Sequence, residues 1–118
     1  MDKVRLKFLA HVTDGLRQAI DADDVVLVEA EADETRIILA SGSSVRDVRS
    51  IAQTEAIFSS EANFLRVHRS FLVNLDYLHQ VRRRDQGRDW ECVMAADGDP
   101  VVPISRDRYS ALLERFRG

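Results

Sequence analysis

Residues 64–75 constrain the fold more than any other stretch. Phe64 to His68 alternates, with Leu65 and Val67 on one face and Arg66 and His68 on the other, the period of two that marks a strand. Arg69-Ser70 breaks the pattern, and an apolar run from Phe71 to Val73 then leads to Asn74. Two buried pieces therefore clamp a polar, basic corner. A chain that needed only a core would not place His68, Arg69 and Ser70 between two hydrophobic anchors. On chemistry alone the corner is as consistent with a solvated turn as with a functional loop.

The rest of the chain reads as short strands between turn signals. Val4 to Val12 and Leu16 to Ile20 are strands joined at Thr13-Asp14-Gly15, since Asp-Gly favours tight hairpins. Asp21 to Asp24 is a solvated loop, because its acids lack the glycine and distal glutamate of a calcium loop. Val25 to Val28 is a short buried strand, Glu29 to Glu34 an acidic loop and Arg36 to Ala40 a strand. Ser41-Gly42 turns into Ser43 to Val48. Ser50 and Gln53 have the spacing of a capping box and open a short helix to about Ala56. A longer helix starting at Ser44, with Asp47 as its partner, is the alternative. Ile57 to Asn63 is a connector.

Tyr77 to Arg83, Trp90 to Ala95 and Val101 to Ile104 are strands, with Pro100 and Pro103 marking ends or an edge. Ser105 is a second N-cap. Tyr109, Leu112, Leu113 and Phe116 then share one helix face. Many strands and two short helices make a mainly-β single domain over residues 1–118.

Charge is unevenly distributed. The net charge is −3, but residues 1–63 carry −5 and residues 64–118 carry +2, and every basic residue in the second part is arginine. Arginine forks onto phosphate and guanine edges better than lysine does. The acidic part should point away from any polyanion. No apolar run approaches the ~20 residues that span a bilayer, and no signal peptide is evident. The single cysteine, Cys92, forms no internal disulfide, so a cytoplasmic location is expected.

Catalytic and metal-binding patterns are missing. There is no glycine-rich phosphate loop and no Cys-x-x-Cys, and His11, His68 and His79 are far apart in sequence. Cys92 lies on an apolar strand face with Trp90 and Met94, the setting of a buried, inert thiol. No enzyme activity, metal or cofactor is expected. Arg106 lies just past the Ser105 N-cap, where the helix end is already electropositive, so an anion nearby would relieve it. Asp107 could supply that anion within the chain, and a phosphate could supply it from outside. Arg82-Arg83-Arg84 is equally consistent with phosphate contact and with keeping an edge strand soluble.

The run from Phe64 to Leu78 and the later Pro103-Ile104-Ser105-Arg106 resemble the LytTR family of bacterial DNA-binding domains, from about Asp24 to Phe116. The resemblance implies an elongated β-sandwich of small antiparallel sheets whose loops enter successive major grooves of double-stranded DNA. It places base contacts at Thr35, Arg69 and Arg106. Arg36, Ser70 and Arg108 would meet phosphates, and His68, Asn74 and Ser105 would support the loops. It further implies a transcriptional regulator with an upstream receiver or sensor domain, bound to paired direct repeats, often as a homodimer. The competing reading is a β-rich protein-interaction or ligand-sensing module that does not bind DNA.

Overall fold

The computed structural model describes residues 7–59, 63–84 and 87–116. β1 (Lys7–Thr13) and β2 (Leu16–Asp21) form a two-stranded hairpin. β3 (Val25–Glu31), β4 (Glu34–Leu39), β5 (Ser44–Asp47), β6 (Phe64–His68) and β7 (Phe71–Asn74) form a five-stranded sheet in the order β5-β4-β3-β7-β6. β8 (Leu78–Arg83), β9 (Trp90–Met94) and β10 (Val101–Ile104) form a three-stranded sheet in the order β10-β9-β8. All observed pairings are antiparallel. The helices are α1 (Ile51–Phe58) and α2 (Arg106–Glu114). The chain is mainly β, as expected.

The five-stranded sheet is the middle layer. One of its faces packs Val28, Ile37 and Leu72 against Phe8 and Ile20 of the first hairpin and Phe58 of α1. The other packs Leu27, Val67 and Val73 against Cys92, Met94 and Val102 of the three-stranded sheet and Leu112 of α2. This explains the unbroken apolar run Val25 to Val28: β3 is covered on both faces, and all four side chains are buried. A bulge between Val25 and Leu27 lets Val25 join the first core and Val26 the second. Phe8, Phe58 and Phe64 stack in series with centroid spacings of 4.6 Å, pinning the hairpin and α1 to the sheet. Each such burial contributes about 1.5–3 kcal/mol.

Local signals act as their chemistry suggests. The Ser50 hydroxyl accepts from the Gln53 amide at 3.2 Å, and the Gln53 side chain accepts from the Ser50 amide at 2.9 Å. The helix is the shorter alternative, although it runs on to Phe58. Gly42 adopts φ +90°, a left-handed conformation that favours glycine in the β4–β5 turn, and the exposed Asp97 carboxylate lies close to where a Cβ would sit. Cys92 is fully buried, which pushes its thiol up to about 12 and keeps it protonated.

Several expected boundaries move. β3 runs on to Glu31 and β4 starts at Glu34, so the expected acidic loop is mostly strand, closed by a two-residue turn with Ala32 at φ 55°. The expected loop at Asp21 to Asp24 contains a 3-10 turn over Ala22–Asp24. The apolar face of α2 is only half used: Leu112 is buried, whereas Leu113 and Phe116 remain 48% and 49% exposed. Parts of the expected first strand (4–6), the connector (60–62) and the turn after Arg84 (85–86) lie outside the described residues.

Candidate nucleic-acid interface

Sheet register gathers three segments at one end of the middle layer. β3 and β4 close through Glu31 and Glu34, and β7 starts beside the end of β3, with Glu29 opposite Phe71. The Arg69-Ser70 turn therefore sits next to the β3–β4 hairpin, and the Ala30 amide donates to the Ser70 carbonyl at 2.8 Å. The third segment arrives from the other sheet. The Ser105 amide donates to the Val67 carbonyl at 2.9 Å, and its hydroxyl donates to the same oxygen at 3.3 Å. Arg69 and Arg106 thus leave a shared junction, two residues from one side of it and one residue from the other.

Ser105 holds the N-cap position expected of it, but its hydroxyl caps no α2 amide. It ties α2 to β6 instead. Within the chain the acid beside Arg106 is Asp89, not its neighbour Asp107. Arg106 Nε lies 3.1 Å from Asp89 Oδ1, while Asp107 is 4.0 Å from Arg108. Arg106 is still 75% exposed.

The Arg69 turn is braced from below. Arg66 Nε donates to the His68 carbonyl at 2.9 Å, and its Nη2 donates to the Arg69 carbonyl. Glu55 of α1 holds Arg66 Nη1 at 2.6 Å. His68 Nδ1 accepts from the Ser70 amide at 3.1 Å, which places the ring proton of neutral His68 on Nε2. Asn74 donates to the Val25 carbonyl at 2.9 Å and accepts from the Asp76 amide at 3.0 Å. The Arg69 side chain is exposed, and no ion pair to it is found among the described residues.

Thr35 requires a correction. It is 1% exposed, sits opposite Ala30 and Asp47, and its hydroxyl donates to the Asp47 carbonyl at 3.4 Å. The extended hairpin draws it into the sheet, so its side chain is not available to a base. Its neighbour Arg36 points outward and pairs with Glu31 at 2.6 Å. Arg46 binds Glu34 through two bonds, and that bond set holds the Glu34 carboxyl below its ordinary range. The acidity of the hairpin is therefore partly balanced within the chain.

Arg66 and Asp89 were not singled out from the sequence. Arg66 carried a signal, a cation on the face opposite Leu65 and Val67, but its partner in α1 is a tertiary matter. Of the arginine run, Arg82 and Arg84 share Glu91 at 2.7 and 3.5 Å, while Arg83 lies over Trp90 at 5.3 Å. Alternation along the strand puts Arg83 on the opposite face from Arg82.

The antiparallel scaffold collects arginine-bearing turns at one end, an arrangement with the charge to meet a polyanion. Family comparison makes this specific: the LytTr DNA-binding domain matches residues 17–117, and the chain belongs to that family. The match begins earlier than the resemblance suggested and takes in β2. It makes the chain a DNA-binding domain. The CO-responsive transcriptional regulator RcoM of Rhodospirillum rubrum is 32% identical over 99 residues, covering 84% of this chain. The chain spans 39% of that relative's length. The fold is similar to the LytTr DNA-binding domain of a Bacillus cereus protein described as a methyl-accepting/DNA response regulator, with a TM-score of 0.70, 19% identity and 96% of each chain covered. Among the described residues no helix is long and apolar enough to cross a membrane.

Proposed function

We propose that the chain binds double-stranded DNA with the row of turns at this sheet end. Arg69 and Arg106 meet base edges, and Arg36, Ser70 and Arg108 meet phosphates. His68, Asn74 and Ser105 hold the turns. The observation that carries this reading is the Ser105–Val67 junction, which brings two arginines distant in sequence to one place. From Arg36 on β4 to the corner after β6 the row crosses three strand spacings, about 14 Å. That exceeds the roughly 12 Å width of a major groove. Arg69 and Arg106 at the junction therefore enter one major groove while Arg36 reaches the flanking phosphates; the successive major groove implied by the family resemblance lies about 34 Å along the duplex, beyond this row. Thr35, being buried, has no part in it.

A guanidinium can donate two parallel bonds to guanine O6 and N7, worth ~1–3 kcal/mol of discrimination. Arg69→Ala and Arg106→Ala should each weaken specific binding by ~1–3 kcal/mol and relax one position of the site. Gel-shift titration of a duplex selected from a random pool measures this. Two variants with wild-type affinity and specificity would remove the mechanism. We further propose that the domain is the output module of a cytoplasmic regulator whose input is a receiver or sensor domain, and that it occupies paired direct repeats as a homodimer. The relative's description as a CO-responsive regulator more than twice as long supports a separate input part.

A further inference from the structure

We propose that Asp89 is a positioning residue for Arg106, holding the guanidinium by its Nε edge so that the Nη1–Nη2 edge faces a guanine. This rests on Arg106 as a base reader. Asp89 directly precedes β9, and the Ile104–Trp90 pairing places it beside Ser105. Its carbonyl accepts from the Arg84 amide at 2.8 Å, which fixes its backbone. The next residue, Trp90, stacks on Tyr109 of α2 with centroids 4.9 Å apart and planes at 14°, and Arg83 covers the indole. The start of β9 and the first turns of α2 are thereby held as one unit.

Within that unit the carboxylate meets Arg106 through Nε, at 3.1 Å. An acid on Nε leaves the opposite edge of the fork, two parallel N–H donors, unobstructed for O6 and N7. Arg106 is 75% exposed and would otherwise lose rotamer freedom on binding. A partner that restricts it beforehand lowers that cost. An acid so close to a polyanion opposes indiscriminate phosphate binding, so its benefit lies in discrimination.

The test starts from the duplex that the wild-type chain selects from a random pool. The base pair read by Arg106 is the position whose preference Arg106→Ala abolishes. Asp89→Ala should lower the ratio of cognate to single-base-variant affinity at that position by about threefold. Affinity for the variant duplex should hold or rise, since a negative charge is gone. Asp89→Asn, whose Oδ1 can still accept from Nε, should keep most of the ratio. Asp89→Ser, too short to reach Nε, repeats the test if the alanine variant does not fold. An unchanged or higher ratio makes Asp89 a mere competitor and overturns the inference. If Arg106→Ala alters no position, the base-reading role fails and this inference with it. If Arg106→Ala loses discrimination and Asp89→Ala does not, only the role of Asp89 falls.

Discussion

Asp47 is fully buried, yet the fold keeps it charged. Burial alone would raise its pKa. The Arg49 guanidinium at 2.8 and 3.0 Å, the Arg49 amide at 2.9 Å and the His11 amide at 3.2 Å outweigh that, so the folded carboxyl titrates below its ordinary value. A depressed folded value contributes stability that is complete above the unfolded pKa of about 3.9 and is lost as pH falls through the folded one. Asp47→Asn keeps the shape and removes the charge, and should cost about 2 kcal/mol at pH 7. In urea unfolding the gap to wild type should begin to close as pH drops below about 4, where Asp47 of the unfolded chain takes up its proton, and should be gone only below the lower folded value. A gap of constant size between pH 7 and 3 would mean that the charge has no such role.

The β6–β7 turn depends on a residue that is not proposed to touch DNA. Arg66 bonds two carbonyls of the corner and an acid on α1, with only 13% of its side chain exposed. Removing it leaves those groups without their donor. Arg66→Ala should destabilise the chain by ~1–3 kcal/mol. It should also speed amide exchange at Ser70 and weaken specific binding. Arg66→Lys should recover part of the stability but not the fork across two carbonyls. Exchange at Ser70 as slow as in wild type would show that the corner holds its shape without the brace.

For the whole molecule, a net charge of −3 leaves little general attraction to DNA. Affinity must come from the cations at the sheet end, and each phosphate they neutralise adds about −0.9 to the slope of log K against log salt. Arg36→Ala and Arg108→Ala should each reduce that slope by about 1 and weaken cognate and unrelated duplexes alike. Both cations have acids beside them, Glu31 at 2.6 Å and Asp107 at 4.0 Å, which must give way to phosphate. A variant whose slope stays at the wild-type value has no phosphate at that position.

The sequence by itself determined features that rest on neighbouring residues. Alternation along Phe64 to His68 sets the faces of β6, Ser50 and Gln53 cap α1, and the run Val25 to Val28 marked a buried strand. His68-Arg69-Ser70 already marked the corner, since its geometry is local. The tertiary structure alone decided what depends on which strands lie side by side. Pairing of β3 with β4 out to Glu31 and Glu34 buried Thr35, which the chain on its own presents as a loop residue. The packing of β9 beside α2 gave Arg106 an acid seventeen positions away rather than the one next to it. Periodicity and capping act over a few residues and so can be read along the chain. Strand order and register are settled by the burial of two cores at once, and only the folded chain contains that information.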